Sequence, residues 1–155
     1  MAMSLDISDN GTLEDVEMSL QEIRDNIERQ IALELDIIWE QIRDLAIEMC
    51  PKETGALASS IEIENEGGSG AIGVSGISGG LFYNSSIYAG NFATSNARGE
   101  PTALYALFVH DGHALPNGGF HEGVAFLTDA VAAFQDELDA CVDRAMSENG
   151  WNTQQ

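Results

Sequence analysis

The stretch LEDVEMSLQEIRDNIERQIALELDIIWEQIRDLAIEMC, residues 13–50, runs directly into PKETGALASSI, residues 51–61. Its apolar residues fall at Leu13, Val16, Leu20, Ile23, Ile27, Ile31, Leu35, Ile38, Ile42, Leu45 and Met49, each step three or four positions, the period of one helix face. The spacing predicts a single helix roughly 57 Å long at 1.5 Å per residue. Thr12 is placed to cap its start, with Asp15 favoured in the first turn by the helix dipole. Pro51 ends it, because proline cannot donate the next helical hydrogen bond and pushes the residue before it out of the α region.

The two halves of this helix differ. Up to Ile27 the apolar stripe is narrow and flanked by Glu14, Asp15, Glu17, Glu22, Asp25 and Glu28. From Ile31 onward Leu33, Ile37, Trp39, Ala46 and Ile47 widen it to most of the circumference. The second half therefore reads as core and the first as a seam. A thin apolar edge on a charged helix is poorly stabilised alone, which calls for a neighbouring chain; a helix lying across its own domain is the equal alternative.

Outward from that helix, residues 1–11 read as a loose arm, 12–147 as one domain and 148–155 as a tail that frays after Asn149-Gly150. Thr54-Gly55 suits a tight turn, and Leu57 points back to the core. Ser60 to Glu64 alternates polar and apolar, Ala71 to Ser75 repeats the alternation after the glycine-rich Gly67 to Gly70, and the two are expected to pair as a β-hairpin. Residues 76–103 form a long loop region rich in Gly, Ser, Asn and Ala with aromatics at Phe82, Tyr83, Tyr88 and Phe92. One strand is expected around Leu81 to Tyr88, then an extended loop from Ala89 to Thr102 that a partner orders. Leu104 to His110 reads as a buried strand ending at Asp111-Gly112, and His113 to His121 as a second loop. Val124, Leu127, Val131, Phe134, Leu138, Cys141 and Ala145 then predict one final helix. Two helices on one face of a small antiparallel sheet make an α+β domain.

Twenty-six acidic residues against Lys52 and five arginines give a formal net charge of −20. Repulsion of that size destabilises a compact state in dilute salt and is tolerated where concentrated salt screens it, so a salt-loving host is expected. Wrapping nucleic acid is excluded, since counterion release needs cations this chain lacks. No segment reads as a membrane span or signal peptide, which predicts synthesis in a cytoplasm. Cys50 and Cys141 fall at apolar helical positions and are expected to be buried free thiols.

Little chemistry suggests itself. Gly76-Ile77-Ser78-Gly79-Gly80 matches G-x-S-x-G, a pattern with meaning only between a strand and a helix of a large α/β sheet. His110, His113 and His121, with Asp111 and Glu122, are the best fragment of a metal site, but their spacing fits no helical metal motif and a fourth ligand is not evident. No catalytic residues, metal ligands or cofactor are expected.

A helix ending in C-P-K-E-T-G-A-L-A-S-S-I, then Y-A-L-F-V-H-D-G, then F-L-T-D-A opening a last helix, resembles the neck or tail-completion (head-tail joining) family of long-tailed phages and archaeal tailed viruses. Pro51, Thr54, Gly55, Leu57, Ser60 and Ile61 match that family's P-x-x-T-G-x-L-x-x-S-I; Tyr105, Ala106, Val109 and Gly112 match Y-A-x-x-V-E-x-G; Phe126, Leu127 and Ala130 match P-F-L-x-x-A. The resemblance covers about residues 31 to 140, and its first element is the specific one. His110 stands where the family has Glu, the proline before Phe126 is missing, and the insertion between Gly76 and Thr102 is longer than usual. The resemblance implies a structural virion protein without enzymatic activity: a hexameric, alternatively dodecameric, ring between a portal-side connector protein and a tail-tube or tail-terminator protein. DNA would pass through its acidic lumen without specific binding, and no membrane is involved. Leu13, Val16, Leu20, Ile23 and Ile27 on the seam and Phe82, Tyr83, Tyr88 and Phe92 in the loop region are the candidate subunit interface. The competing readings are an acidic scaffold dimerising through the long helix and a small metal-dependent enzyme using the histidine loop.

Overall fold

The computed structural model describes residues 13–52, 55–64, 70–78 and 83–150. Thr12, Thr54, Phe82, the terminal arm and the tail from Trp151 lie outside these, as do most of the Gly67 to Gly70 turn and the Gly79-Gly80 end of the G-x-S-x-G pattern.

Helix α1 spans Leu13–Met49, as its period requires. Pairs one turn apart along its exposed side support it, including Arg24 to Glu28 at 2.9 Å and Gln21 to Asp25 at 3.0 Å. Its buried residues begin only at Ile27 and continue through Ile31, Leu35, Ile38, Trp39, Ile42 and Ala46. The wide apolar band expected of the second half is not all core: Leu33, Ile37 and Ile47 face outward. A helix packed on a sheet from one side has only that side to bury, whatever the composition of the other.

Of the expected Thr54-Gly55 turn only Gly55 is described. It opens a short helix α2 (Gly55–Ser59) that seats Leu57 in the core. Ser60 then joins two elements: its Oγ donates to the Leu57 carbonyl at 2.7 Å and accepts from the Gly90 backbone N–H at 2.8 Å.

Three strands follow, β1 (Glu62–Glu64), β2 (Ile72–Ser78) and β3 (Tyr83–Ala89), in the antiparallel order β1-β3-β2. The expected hairpin between β1 and β2 is therefore wrong. β2 turns back onto β3, and β1 pairs with the far edge of β3, Ile63 opposite Ile87. β3 is the central strand because both neighbours need the apolar face that Ile87 and Ala89 turn toward the helices. Tyr88, on the other face, lies across Gly73, where a Cβ would come within 2.5 Å of its ring.

The segment after β3 is held by its own chain, contrary to the expectation that a partner orders it. Thr102 Oγ1 accepts from the Asn91 N–H and donates to the Asn91 carbonyl, both at 2.9 Å. Thr94 N donates to Asn91 Oδ1 at 2.7 Å, and Asn96 Oδ1 accepts from the backbones of Arg98 and Glu100. Side-chain acceptors that satisfy loop backbone replace the missing ladder.

Residues 104–110 are helical, not a strand. A 3-10 turn, Thr102–Leu104, leads into α3 (Ala106–Asp111). The spacing of Ala106, Val109 and His110 puts these three on the inward side and leaves Leu107 and Phe108 outside. The expected second loop is instead a hairpin of β4 (Gly112–Ala114) and β5 (Phe120–Glu122), with His113 opposite His121. The final helix is two helices, α4 (Phe126–Ala133) and α5 (Gln135–Glu148), broken at Phe134. Asn149 ends α5, with Gly150 at positive φ beyond it.

The result is an α+β fold: α1 packs along α4 and α5, and these helices cover the three-stranded sheet. One core joins Trp39 and Ile42 of α1, Leu57, Ile87, Phe126, Leu127 and Leu138. Asn149 and Arg144 tie α5 to α1. Asn149 Nδ2 donates to Gln30 Oε1 at 3.0 Å, and Arg144 Nη2 to Glu34 Oε2 at 2.8 Å. Partial burial would raise the Glu34 carboxyl, but hydrogen bonds from Arg144 and Gln30 outweigh it and hold the group below the usual carboxylate range.

Cys50 and Cys141 are buried thiols outside any disulfide, as expected. Burial, reinforced by the nearby Glu34 carboxylate, pushes the Cys141 thiol up to about 11. Neither thiol is expected to react with a disulfide reagent at neutral pH in the folded protein, and both should titrate once denaturant is added.

Candidate subunit interface

The residues that carry the family resemblance are structural in this fold. Leu57, Ala106, Phe126, Leu127 and Ala130 are fully buried, and Ser60 and Ile61 nearly so. Pro51 follows α1 half-buried, and Tyr105 and Val109 pack partly buried against the core. Gly112, at φ 81°, lets β5 approach, since a Cβ there would lie 2.4 Å from the His121 carbonyl oxygen. His110 bridges α3 to the start of α4. Its Nδ1 lies 2.5 Å from Asp111 Oδ1, its Nε2 3.4 Å from Thr128 Oγ1, and its ring meets Phe126 edge-on at 5.2 Å.

The seam residues divide. Ile27 is core and Ile23 packs against it, so neither belongs to an open interface. Leu13 is 77% exposed, Met18 66% and Leu20 36%, with Val16 half-buried beside them. The first three turns of α1 thus run past the core as an overhang, roughly 15 Å from Leu13 to Glu22, with Leu13, Met18 and Leu20 exposed on it. Of the loop aromatics, Tyr88 is half-buried over Gly73, Tyr83 opens β3, and Phe92 is 75% exposed. Phe92 stands at the rim of a cavity of about 500 Å³ lined by Gly70, Ala71, Gly90, Asn91 and Ala103.

A second apolar surface was not legible as such. Leu104, Leu107, Phe108 and Phe120 are all at least half exposed. Leu107 and Phe108 share the outer side of α3, and the Phe108 ring meets His113 edge-on at 5.5 Å. The available signal was the helical spacing of Ala106, Val109 and His110, which as a helix directs Leu107 and Phe108 outward. Charge sets the same region apart. Of the 26 acidic residues, only Glu100, Asp111 and Glu122 lie between residues 84 and 128. The segment that carries these apolar residues is therefore poor in acid, with three carboxylates against Arg98.

The histidines do not converge. His113 and His121 stack with ring centroids 5.4 Å apart, while His110 is turned inward to Phe126. Among the described residues no three His, Cys, Asp or Glu side chains are grouped to hold a metal ion. Gly76, Ile77 and Ser78 end β2 as strand, and the next described element is strand β3, where a nucleophile elbow has a helix. No described helix is long and apolar enough to cross a membrane. Compared with known protein families, curated proteins and solved structures, the chain matches none of them.

Proposed function

We propose that this protein is a structural subunit of the neck of a tailed virus, a cyclic ring joining the portal side of the capsid to the tail and letting DNA pass. The observation that carries the reading is the overhang of α1, whose Leu13, Met18 and Leu20 stay exposed among the described residues. An isolated helical overhang of that length is unstable in water unless another surface packs on it. The α+β fold, the burial of the motif positions and the uncovered face around Phe108 accord with a ring subunit, which needs contact surfaces and no reaction centre. The ring is hexameric or dodecameric, its neighbours are a portal-side connector and a tail-tube or tail-terminator protein, and an acidic lumen repels the passing DNA.

The charge adds a condition. Among the described residues the ion pairs include Arg24–Glu28, Arg43–Glu40, Arg43–Asp44 and Arg144–Glu34, and the six lysines and arginines of the full chain are too few to pair its 26 carboxylates. Folding and assembly in a salt-loving host follow from screening. The melting temperature is expected to rise between roughly 0.1 M and multimolar salt, where the screening length falls from about 10 Å to under 3 Å. Light scattering at the two salts reads assembly, with a cyclic oligomer expected at high salt. A salt-independent two-fold dimer would sink the ring and favour the helix-paired scaffold. Antibody against the chain should label the collar between capsid and tail of the virion; label confined to the capsid interior, or absent from virions, would overturn the neck assignment.

A further inference from the structure

We infer that the overhang of α1 from one copy docks on the acid-poor segment of a second copy, across Phe92, Leu107 and Phe108 and into the adjoining cavity. The inference rests on the ring-subunit reading and names its contact.

Three observations select this occupant. The first is area. Full burial of a Phe removes about 150–250 Å², so Phe92, Phe108 and Phe120, exposed by half to three-quarters, leave with Leu104 and Leu107 on the order of 500 Å² of apolar surface, near the upper end for a monomer. Phe92 and Ala103 share the cavity wall, and Leu104, Leu107 and Phe108 follow Ala103 on the next two short helical elements. The second is shape. The cavity, of about 500 Å³, is lined mostly by Gly and Ala and is largely apolar. Leu13, Val16 and Leu20 stand in one row along the overhang and offer aliphatic side chains to fill it.

The third is charge. The overhang carries Glu14, Asp15, Glu17 and Glu22 beside its apolar edge. Two overhangs laid together would place these carboxylates against each other, which disfavours a symmetric helix pair. The segment that carries Phe92, Leu107 and Phe108, residues 84 to 128, has three acids and the exposed Arg98, whose guanidinium meets no carboxylate among the described residues. Apolar edge meets apolar side chains, and acid meets the less negative segment. Because the two surfaces differ and lie on different elements, the contact is head-to-tail, the kind that closes a ring when the rotation permits.

Two chains with one added cysteine each test it, Leu20→Cys and Leu107→Cys, with Cys50 and Cys141 left in place because they are buried. Mixed in multimolar salt under oxidising conditions, they are expected to form the mixed disulfide in about tenfold or greater excess over either self-linked product, since docking raises the local thiol concentration. A second variant, Leu107→Asp with Phe108→Ser, changes exposed positions only and should keep the circular dichroism of the parent while losing its high-salt oligomer. Predominant Leu20→Cys self-linking would overturn the inference in favour of paired overhangs. An oligomer that survives in the double variant overturns the docking face and leaves the ring. A parent chain that stays monomeric and forms no disulfide overturns the docking, and the collar labelling then decides the neck assignment separately.

Discussion

Replacing Trp39 with alanine is expected to lower the unfolding free energy by about 3–5 kcal/mol, the largest loss from any single truncation in this chain. Trp39 is the largest fully buried side chain, 1% exposed, on the side of α1 that meets the rest of the core. Its removal leaves a cavity that a helix held on several elements cannot collapse to fill. Small domains hold only about 5–15 kcal/mol in total, and self-repulsion at −20 subtracts from that in dilute salt. The variant should therefore unfold at far lower urea than the parent, with the gap in dilute salt closing onto an unfolded baseline before it does in multimolar salt. Circular dichroism measures both. Trp39→Phe separates packing from polarity: the indole Nε1 has no hydrogen-bond partner among the described residues, so the phenyl ring loses volume but no bond, and should cost under about 1.5 kcal/mol. A loss as large as that of alanine would mean that Nε1 is satisfied by a buried water.

The second large effect is expected at Gly112. Its backbone, φ 81° and ψ 176°, lies in a region open essentially to glycine alone, and holding another residue there costs about 1–3 kcal/mol. The added Cβ of Gly112→Ala would also lie 2.4 Å from the His121 carbonyl oxygen and 2.7 Å from the Gly123 nitrogen. Both are rigid backbone atoms, so the hairpin must open instead of a side chain stepping aside. Gly118→Ala is the control: the same sign of φ, 83°, but open space around the position. The urea midpoint should fall clearly more for Gly112→Ala than for Gly118→Ala. Equal losses would show that backbone conformation, not the close approach of β5, is what Gly112 supplies. Phe120 stands on that hairpin, so the Gly112 variant should also weaken any assembly through the face around Phe108.

The elements that were legible are those whose own residues settle the matter. Steps of three and four from Leu13 to Met49 fix a helix, and Pro51 fixes its end, because period and a missing donor are local properties. The α+β class and the burial of Cys50, Leu57 and Cys141 follow the same way. Strand pairing was not local. Ser60 to Glu64 and Ala71 to Ser75 each read as strands, yet which strand lies between them depended on β3, whose Ile87 and Ala89 serve both neighbours. Leu104 to His110 misled for a related reason. A short apolar run has too few residues for its period to separate strand from helix, and only contact with Phe126 and Thr128 shows that His110 points inward while Leu107 and Phe108 do not.

The candidate interface shows the same division. The sequence alone determined that α1 carries a thin apolar edge among carboxylates, and that acid is scarce from residue 84 to 128. Tertiary structure decided which of those apolar residues remain uncovered. It drew Ile23 and Ile27 into the core, laid Tyr88 over Gly73, and left Leu13, Leu20, Phe92, Leu107 and Phe108 outside. Exposure is a property of what the rest of the chain places beside a residue, and no periodicity in the residue's own segment contains it.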